Sequence, residues 1–117
     1  MSVREEVDAI NSRFFEAFTK RDAAGCVRDY AEDCIAIYDN KTPLRGRSAI
    51  QESYAEVFAR GVILRSLKTE DAQFDGNWGF CVLRFETSEG PGLSLGVLKK
   101  NPGGNLVTVA EAILAAG

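Results

Sequence analysis

Between Trp78 and Thr87 the chain reads Trp-Gly-Phe-Cys-Val-Leu-Arg-Phe-Glu-Thr, a strand with apolar side chains on both faces. Trp78, Phe80 and Val82 share one face; Cys81, Leu83 and Phe85 share the other. A strand of this kind cannot leave either face in water, so the fold must cover both. Asp75-Gly76-Asn77 before it is a strong hairpin signal, and Glu89-Gly90-Pro91-Gly92 after it is a turn. Leu93 to Lys100 and Asn105 to Leu114 read as two further strands, separated by the turn Asn101-Pro102-Gly103-Gly104. Residues 62–74 alternate loosely and read as strand too.

The first half of the chain supplies helices. Ser2-x-x-Glu5 is a capping box, and Val3, Val7, Ile10, Phe14 and Phe18 then recur at helical spacing. Asp22 is a good N-cap for a second helix expected to reach about Tyr30, with Cys26, Val27 and Tyr30 inward. Glu32-Asp33 ends that helix, and Cys34 to Tyr38 reads as a strand from its β-branched content. Asn40-Lys41-Thr42-Pro43 is a turn. Gly46-Arg47-Ser48 opens a third helix with Ile50, Tyr54, Val57 and Phe58 at helical spacing, and Gly61 sits where a C′ glycine belongs. Helices followed by a run of strands indicate an α+β fold, and 117 residues suit one domain over 1–117. The helices can cover one face of the strand at 78–87. A second copy of the chain is the simplest cover for the other, so a homodimer through the sheet face is expected.

Several function classes are excluded by what the chain lacks. It has no histidine, which removes the usual general base, the Ser-His and Cys-His nucleophile pairs and the commonest transition-metal ligand. Cys26, Cys34 and Cys81 show no Cys-x-x-Cys spacing and are expected as reduced, buried thiols. No glycine-rich nucleotide motif is present, so no cofactor is expected, and no metal is expected either, since the one open alternative, an all-carboxylate site, has no motif here. The net charge is −3 with no basic stripe, which argues against nucleic acid; Lys99-Lys100 reads as a solvated strand end. No apolar run approaches the roughly 20 residues of a membrane span, and the first residues lack a signal-peptide pattern. A cytoplasmic protein is the expectation.

The order of these signals resembles the nuclear-transport-factor-2-like superfamily, in its SnoaL-like and ketosteroid-isomerase-like branch. The residues that carry the resemblance are the Asp22-led second helix, Tyr30-Ala31-Glu32-Asp33 leading into a strand, and Pro43-Leu44-Arg45-Gly46-Arg47 followed by Ile50 and Tyr54, then hairpins. The resemblance implies a cone-shaped α+β barrel, with three N-terminal helices packed on a strongly curved, mostly antiparallel sheet. It also implies an interior cavity and a dimer or larger assembly. On this reading Phe14, Phe18, Tyr30, Tyr38, Tyr54, Phe58, Leu83, Phe85, Gly96 and Glu111 are the ligand-facing residues. The steroid isomerase pattern combines a carboxylate base with a tyrosine and a protonated aspartic acid. The positions that match it hold Tyr38, Phe14 and Gly96, so that pattern is not met, although its supporting tyrosines have counterparts in Tyr30 and Tyr54. A one-residue shift puts Asp39 at the base position, against the strand alternation.

Glu111 is the remaining candidate for chemistry, with Tyr38 and Asp39 beside it. Strict alternation places Val107, Val109, Glu111 and Ile113 on one face. If that face is a cavity, Glu111 is a desolvated carboxylate suited to general acid–base work. The alternatives are a salt bridge to Arg84 or a lysine, or plain exposure. Arg84 and Glu86 are expected as an outward pair at the dimer seam. Arg47 is expected either beside an anion or paired with an acid such as Asp33. Two functions follow. One is a small-molecule-binding protein, of isomerase, cyclase or hydrolase type, acting on a small hydrophobic substrate through proton transfer. The other is a non-enzymatic assembly module whose cavity is filled by Phe14, Phe18, Phe58, Phe80, Phe85 and Trp78.

Overall fold

A computed structural model describes residues 2–39 and 41–115. The elements are helix α1 (Val3–Thr19), helix α2 (Ala23–Cys26), strands β1 (Tyr30–Tyr38) and β2 (Leu44–Arg45), helix α3 (Arg47–Ala59), and strands β3 (Leu64–Asp75), β4 (Trp78–Thr87), β5 (Gly90–Lys100) and β6 (Leu106–Ala115). The strands form one sheet in the order β2-β1-β6-β5-β4-β3. Only the β1–β6 pair is parallel; the others are antiparallel. The fold is α+β, with a six-stranded, mostly antiparallel sheet and helices.

Helix α1 starts at the capping box read from the sequence: Ser2 Oγ accepts from the Glu5 amide at 3.1 Å, and Glu5 Oε1 accepts from the Ser2 amide at 3.1 Å. It is fastened to β3 at Thr69, which is only 8% exposed and stands at a bulge in that strand. The Thr69 hydroxyl donates to Asp8 Oδ1 at 2.9 Å and accepts from the Asn11 amide at 2.9 Å. Arg4 donates to the Thr69 carbonyl at 3.0 Å. A second tie is bidentate, Arg13 donating to both Asp29 oxygens at 3.0 Å.

Helix α2 is shorter than expected. Asp22 caps it by accepting from the Gly25 amide at 3.0 Å, but it ends at Cys26, and Tyr30 already belongs to β1. The sheet takes over the backbone here, because the Asp29 carbonyl accepts from the Thr108 amide of β6 at 2.9 Å. Glu32-Asp33 therefore lies inside an irregular stretch of strand, between the paired positions Tyr30 and Ile35. Arg47, at the start of α3, holds this irregularity. It donates from Nε and Nη2 to the Tyr30 carbonyl at 3.1 and 2.8 Å, so its partner is a backbone oxygen and not Asp33. Of the turn expected at 40–43, Asn40 lies outside the described residues; β2 follows it as a short edge strand. β5 opens at Gly90, earlier than the expected Leu93, so the β4–β5 turn is tighter than the sequence suggests.

The buried side chains fall into two clusters. One joins Ala17, Phe18, Cys26, Val27, Tyr30, Cys34, Ile50, Tyr54, Val62 and Leu64. The other joins Val7, Ile10, Cys81, Leu98 and Leu106. Members of both line a common pocket, so the interior is divided around it.

The outer face of the sheet is apolar in continuous rows. Ile37, Ala112, Leu95 and Val82 lie directly across from one another on β1, β6, β5 and β4, and so do Ile35, Ala110, Val97 and Phe80. Ile37, Leu95 and Leu114 are 43%, 46% and 61% exposed, so these side chains are left open by the described residues. Trp78 and Phe80 belong to it and do not fill the interior. Lys99 sits with its ammonium 5.2 Å from the centre of the Trp78 ring, a cation–π contact where only a solvated strand end was expected. Arg84 pairs with Glu70 on β3 at 2.6 Å, and not with Glu86.

Candidate functional site

The pocket has a volume of about 390 Å³, within the range of small-molecule sites. Helix α1 contributes Phe14 and Phe18, and α3 contributes Tyr54 and Val57. The sheet contributes Tyr30 and Tyr38 from β1, Leu83 and Phe85 from β4, Gly96 from β5 and Glu111 from β6. The lining also includes the charged residues Asp39, Lys41, Glu56, Arg60 and Glu89, with Arg60 and Glu89 in an ion pair at 3.1 Å.

The centre of the site is Glu111. It stands opposite Gly96 on β5 and Ala36 on β1. Tyr30 donates its phenol proton to Glu111 Oε2 at 2.7 Å, and Tyr38 donates to Oε1 at 2.9 Å. The Tyr54 hydroxyl lies 3.3 Å from that of Tyr30. Since the Tyr30 proton is directed to Glu111, Tyr54 is the donor in that contact. The Tyr54 ring is set by edge contacts to Phe14 at 5.5 Å and Phe18 at 6.3 Å between centroids.

These groups titrate above their ordinary ranges. Burial pushes the Glu111 carboxyl above the usual carboxylate range; the phenol donors Tyr30 and Tyr38 pull the other way without cancelling it. Glu111 keeps some accessible surface, and it is among the residues lining the pocket. Burial, followed by the nearby negative charge of Glu111, raises Tyr30; burial likewise leads the rise at Tyr38 and Tyr54. All three phenols therefore keep their protons. Burial also pushes the Cys26 and Cys34 thiols up to about 12 and Cys81 to about 11, so none is a ready nucleophile. All three cysteines are free.

Nine of the ten residues expected to face a ligand lie on the pocket wall. Phe58 does not; it stacks edge-on against Phe18, with centroids 4.9 Å apart. Asp39 also lines the pocket, just beyond the end of β1 and in a left-handed conformation with φ 45°. Glu111 has no ion pair with Arg84 or a lysine among the described residues. Its neighbours along β6 also differ from the expectation. A bulge at Val109 brings Thr108 onto the inward face with Glu111, while Val107 falls outside the pocket. Asn11 was missed, although a polar residue inside the stripe Val7, Asn11, Phe14, Phe18 is a visible signal. Among the described residues no three His, Cys, Asp or Glu side chains gather in a metal-binding arrangement, and no helix is long and apolar enough to cross a membrane.

The SnoaL-like domain family matches residues 12–113. The chain belongs to the SnoaL-like family. Solved structures of nuclear-transport-factor-2-like proteins share its fold, as the resemblance in the sequence implied. A domain of unknown function with a cystatin-like fold from Nostoc punctiforme superposes with a TM-score of 0.85 at 16% identity, covering 100% of this chain and 80% of that one. A ketosteroid isomerase-like protein from Erwinia carotovora atroseptica gives 0.75 at 17% identity, covering 94% and 93%. A putative calcium/calmodulin-dependent protein kinase type II association domain from Thiobacillus denitrificans gives 0.78 at 16%, covering 94% and 94%. No curated protein matches this SnoaL-like chain. At these identities the likeness establishes the fold and leaves the reaction to the site itself.

Proposed function

We propose that this SnoaL-like protein binds a small, mostly apolar molecule inside a cone formed by the sheet and helices, and exchanges a proton with it through Glu111. The reaction is of the isomerase, cyclase or hydrolase kind and needs no cofactor. The observation that carries this reading is the carboxylate itself: it lines the pocket and is held at both oxygens by phenols at 2.7 and 2.9 Å. Burial biases it toward holding a proton, which brings a carboxyl closer to the range where general acid–base catalysis is efficient. A neighbouring ketosteroid isomerase-like fold is consistent with such chemistry. The test is a thermal-shift screen of small apolar metabolites, since a ligand that binds only the folded state raises Tm. Hits lost on filling the pocket by Gly96→Leu support the reading. An empty screen, or hits indifferent to that substitution, would refute it.

The outer face of the sheet supports a second element of function, a homodimer. Rows of Ile, Val, Leu and Phe side chains left uncovered are the kind of surface that marks an interface. The association domain among the structural neighbours fits an assembly role on this fold. Dimerisation and ligand binding use opposite faces of the sheet and are compatible.

A further inference from the structure

We propose that the molecule received by this pocket carries a protonated amine, and that Glu111 is its counter-ion. The inference rests on the pocket being a ligand site, and goes beyond it to the chemical class of the ligand.

Four observations converge. First, among the described residues the hydrogen-bond partners of the Glu111 carboxylate in the pocket wall are neutral: Tyr30 at 2.7 Å and Tyr38 at 2.9 Å. Burial alone favours the protonated carboxyl, because a desolvated anion without a cation is an unfavourable arrangement; a cationic ligand is the partner that lets the carboxylate form persist. Second, the protons of the three phenols are already committed. Tyr54 donates to Tyr30, and Tyr30 and Tyr38 donate to Glu111. Around Glu111 the site therefore offers a newcomer lone pairs and no phenol protons. A carboxylate has about four lone-pair positions; two are taken, which leaves room for the N–H groups of an ammonium. A ligand that presents a carbonyl or an anion has no phenol donor to meet here unless this chain of bonds breaks.

Third, the charge of the lining is negative. Asp29, Asp39, Glu56, Glu89 and Glu111 line the pocket, against Lys41 and Arg60. Lys41 and Arg60 are exposed, as are Asp39, Glu56 and Glu89, and Arg60 is engaged by Glu89 at 3.1 Å; Glu111 is set deeper in the lining. Asp29 is neutralised from outside by Arg13. A cleft with this balance draws cations and repels anions. Fourth, Phe14, Phe18, Tyr38, Tyr54 and Phe85 give the wall aromatic rings, whose faces attract an ammonium group.

The test uses matched sets of probes on the full chain at neutral pH. Each set shares one body (cyclohexyl, phenyl or naphthyl) and ends in a methylamine, a methanol or a carboxylate. Binding is measured by calorimetry for the wild type and for Glu111→Gln. The expected result is that, for at least one body, the amine binds about tenfold or more tighter than the alcohol, the range of a charge-assisted hydrogen bond. The carboxylate should bind most weakly. Glu111→Gln should bring amine and alcohol together. Alcohols that bind as tightly as amines would overturn the amine assignment and leave the pocket reading standing, as would an amine preference that survives Glu111→Gln. Failure of every probe would overturn both. The wild-type comparison of amine with alcohol decides the matter even if the variant does not fold.

Discussion

Glu111 contributes a pH response of its own to the fold. Its carboxyl binds a proton more tightly in the folded chain than in the unfolded one, where the ordinary value is 4.5. Below that value both states are protonated, and the contribution to stability is fully present. It is lost as pH rises through the folded value, because only the folded state must then ionise a buried carboxyl. Glu5, Glu16 and Glu70 are lowered by their hydrogen-bond partners and act in the opposite sense. The difference between wild type and Glu111→Gln isolates the buried group. Thermal melts of the two should diverge in favour of the variant as pH rises above about 4.5; a difference independent of pH would contradict this. Tyr30→Phe is a second test at this scale. It removes one donor from Glu111 and the acceptor of Tyr54, and should cost about 1–3 kcal/mol in urea denaturation.

At the scale of elements, one hydroxyl joins α1 to β3. Thr69 is buried, and both Asp8 and Asn11 depend on its side chain. Thr69→Val keeps the shape and removes the bonds, so about 1–3 kcal/mol should be lost, with hydrogen exchange rising first in the N-terminal half of α1. Gly92 imposes a separate constraint. The Phe85 ring lies against its backbone, where any Cβ would collide with it. Gly92→Ala should therefore destabilise by about 1–3 kcal/mol through overpacking. These elements also show what a sequence can reveal. The capping box at Ser2, the hairpin at Asp75-Gly76-Asn77 and the end of α3 before Gly61 are set by local chemistry and were legible. The early end of α2, the entry of Tyr30 into β1 and the bulge at Val109 depend on pairing between β1, β5 and β6, which alternation within one strand does not encode. The bulge changed which β6 residues share the inward face with Glu111. Phe58 and Asn11 turn on the exact phase of a helix against its neighbours, and Arg47 turns on a carbonyl that only the irregular start of β1 exposes.

Across the whole molecule, the sheet separates two surfaces. Its inner face shares the pocket with α1 and α3, and its outer face presents Ile37, Leu95 and Leu114 to the outside. The strand apolar on both faces from which the sequence was read is the strand that needs this arrangement. If a second copy covers the outer face, Leu95→Lys should shift sedimentation toward the monomer while near-ultraviolet circular dichroism keeps its native form. A wild-type monomer at high micromolar concentration would remove the dimer. The enclosure of Glu111 is the more basic claim, because proton transfer and the amine ligand both depend on it. Carboxyl-labelled glutamate read by carbon NMR, with Glu111→Gln to assign the signal, measures it directly. Titration clearly above 4.5 is the result expected for a carboxyl surrounded by protein; titration at or below that value would contradict it.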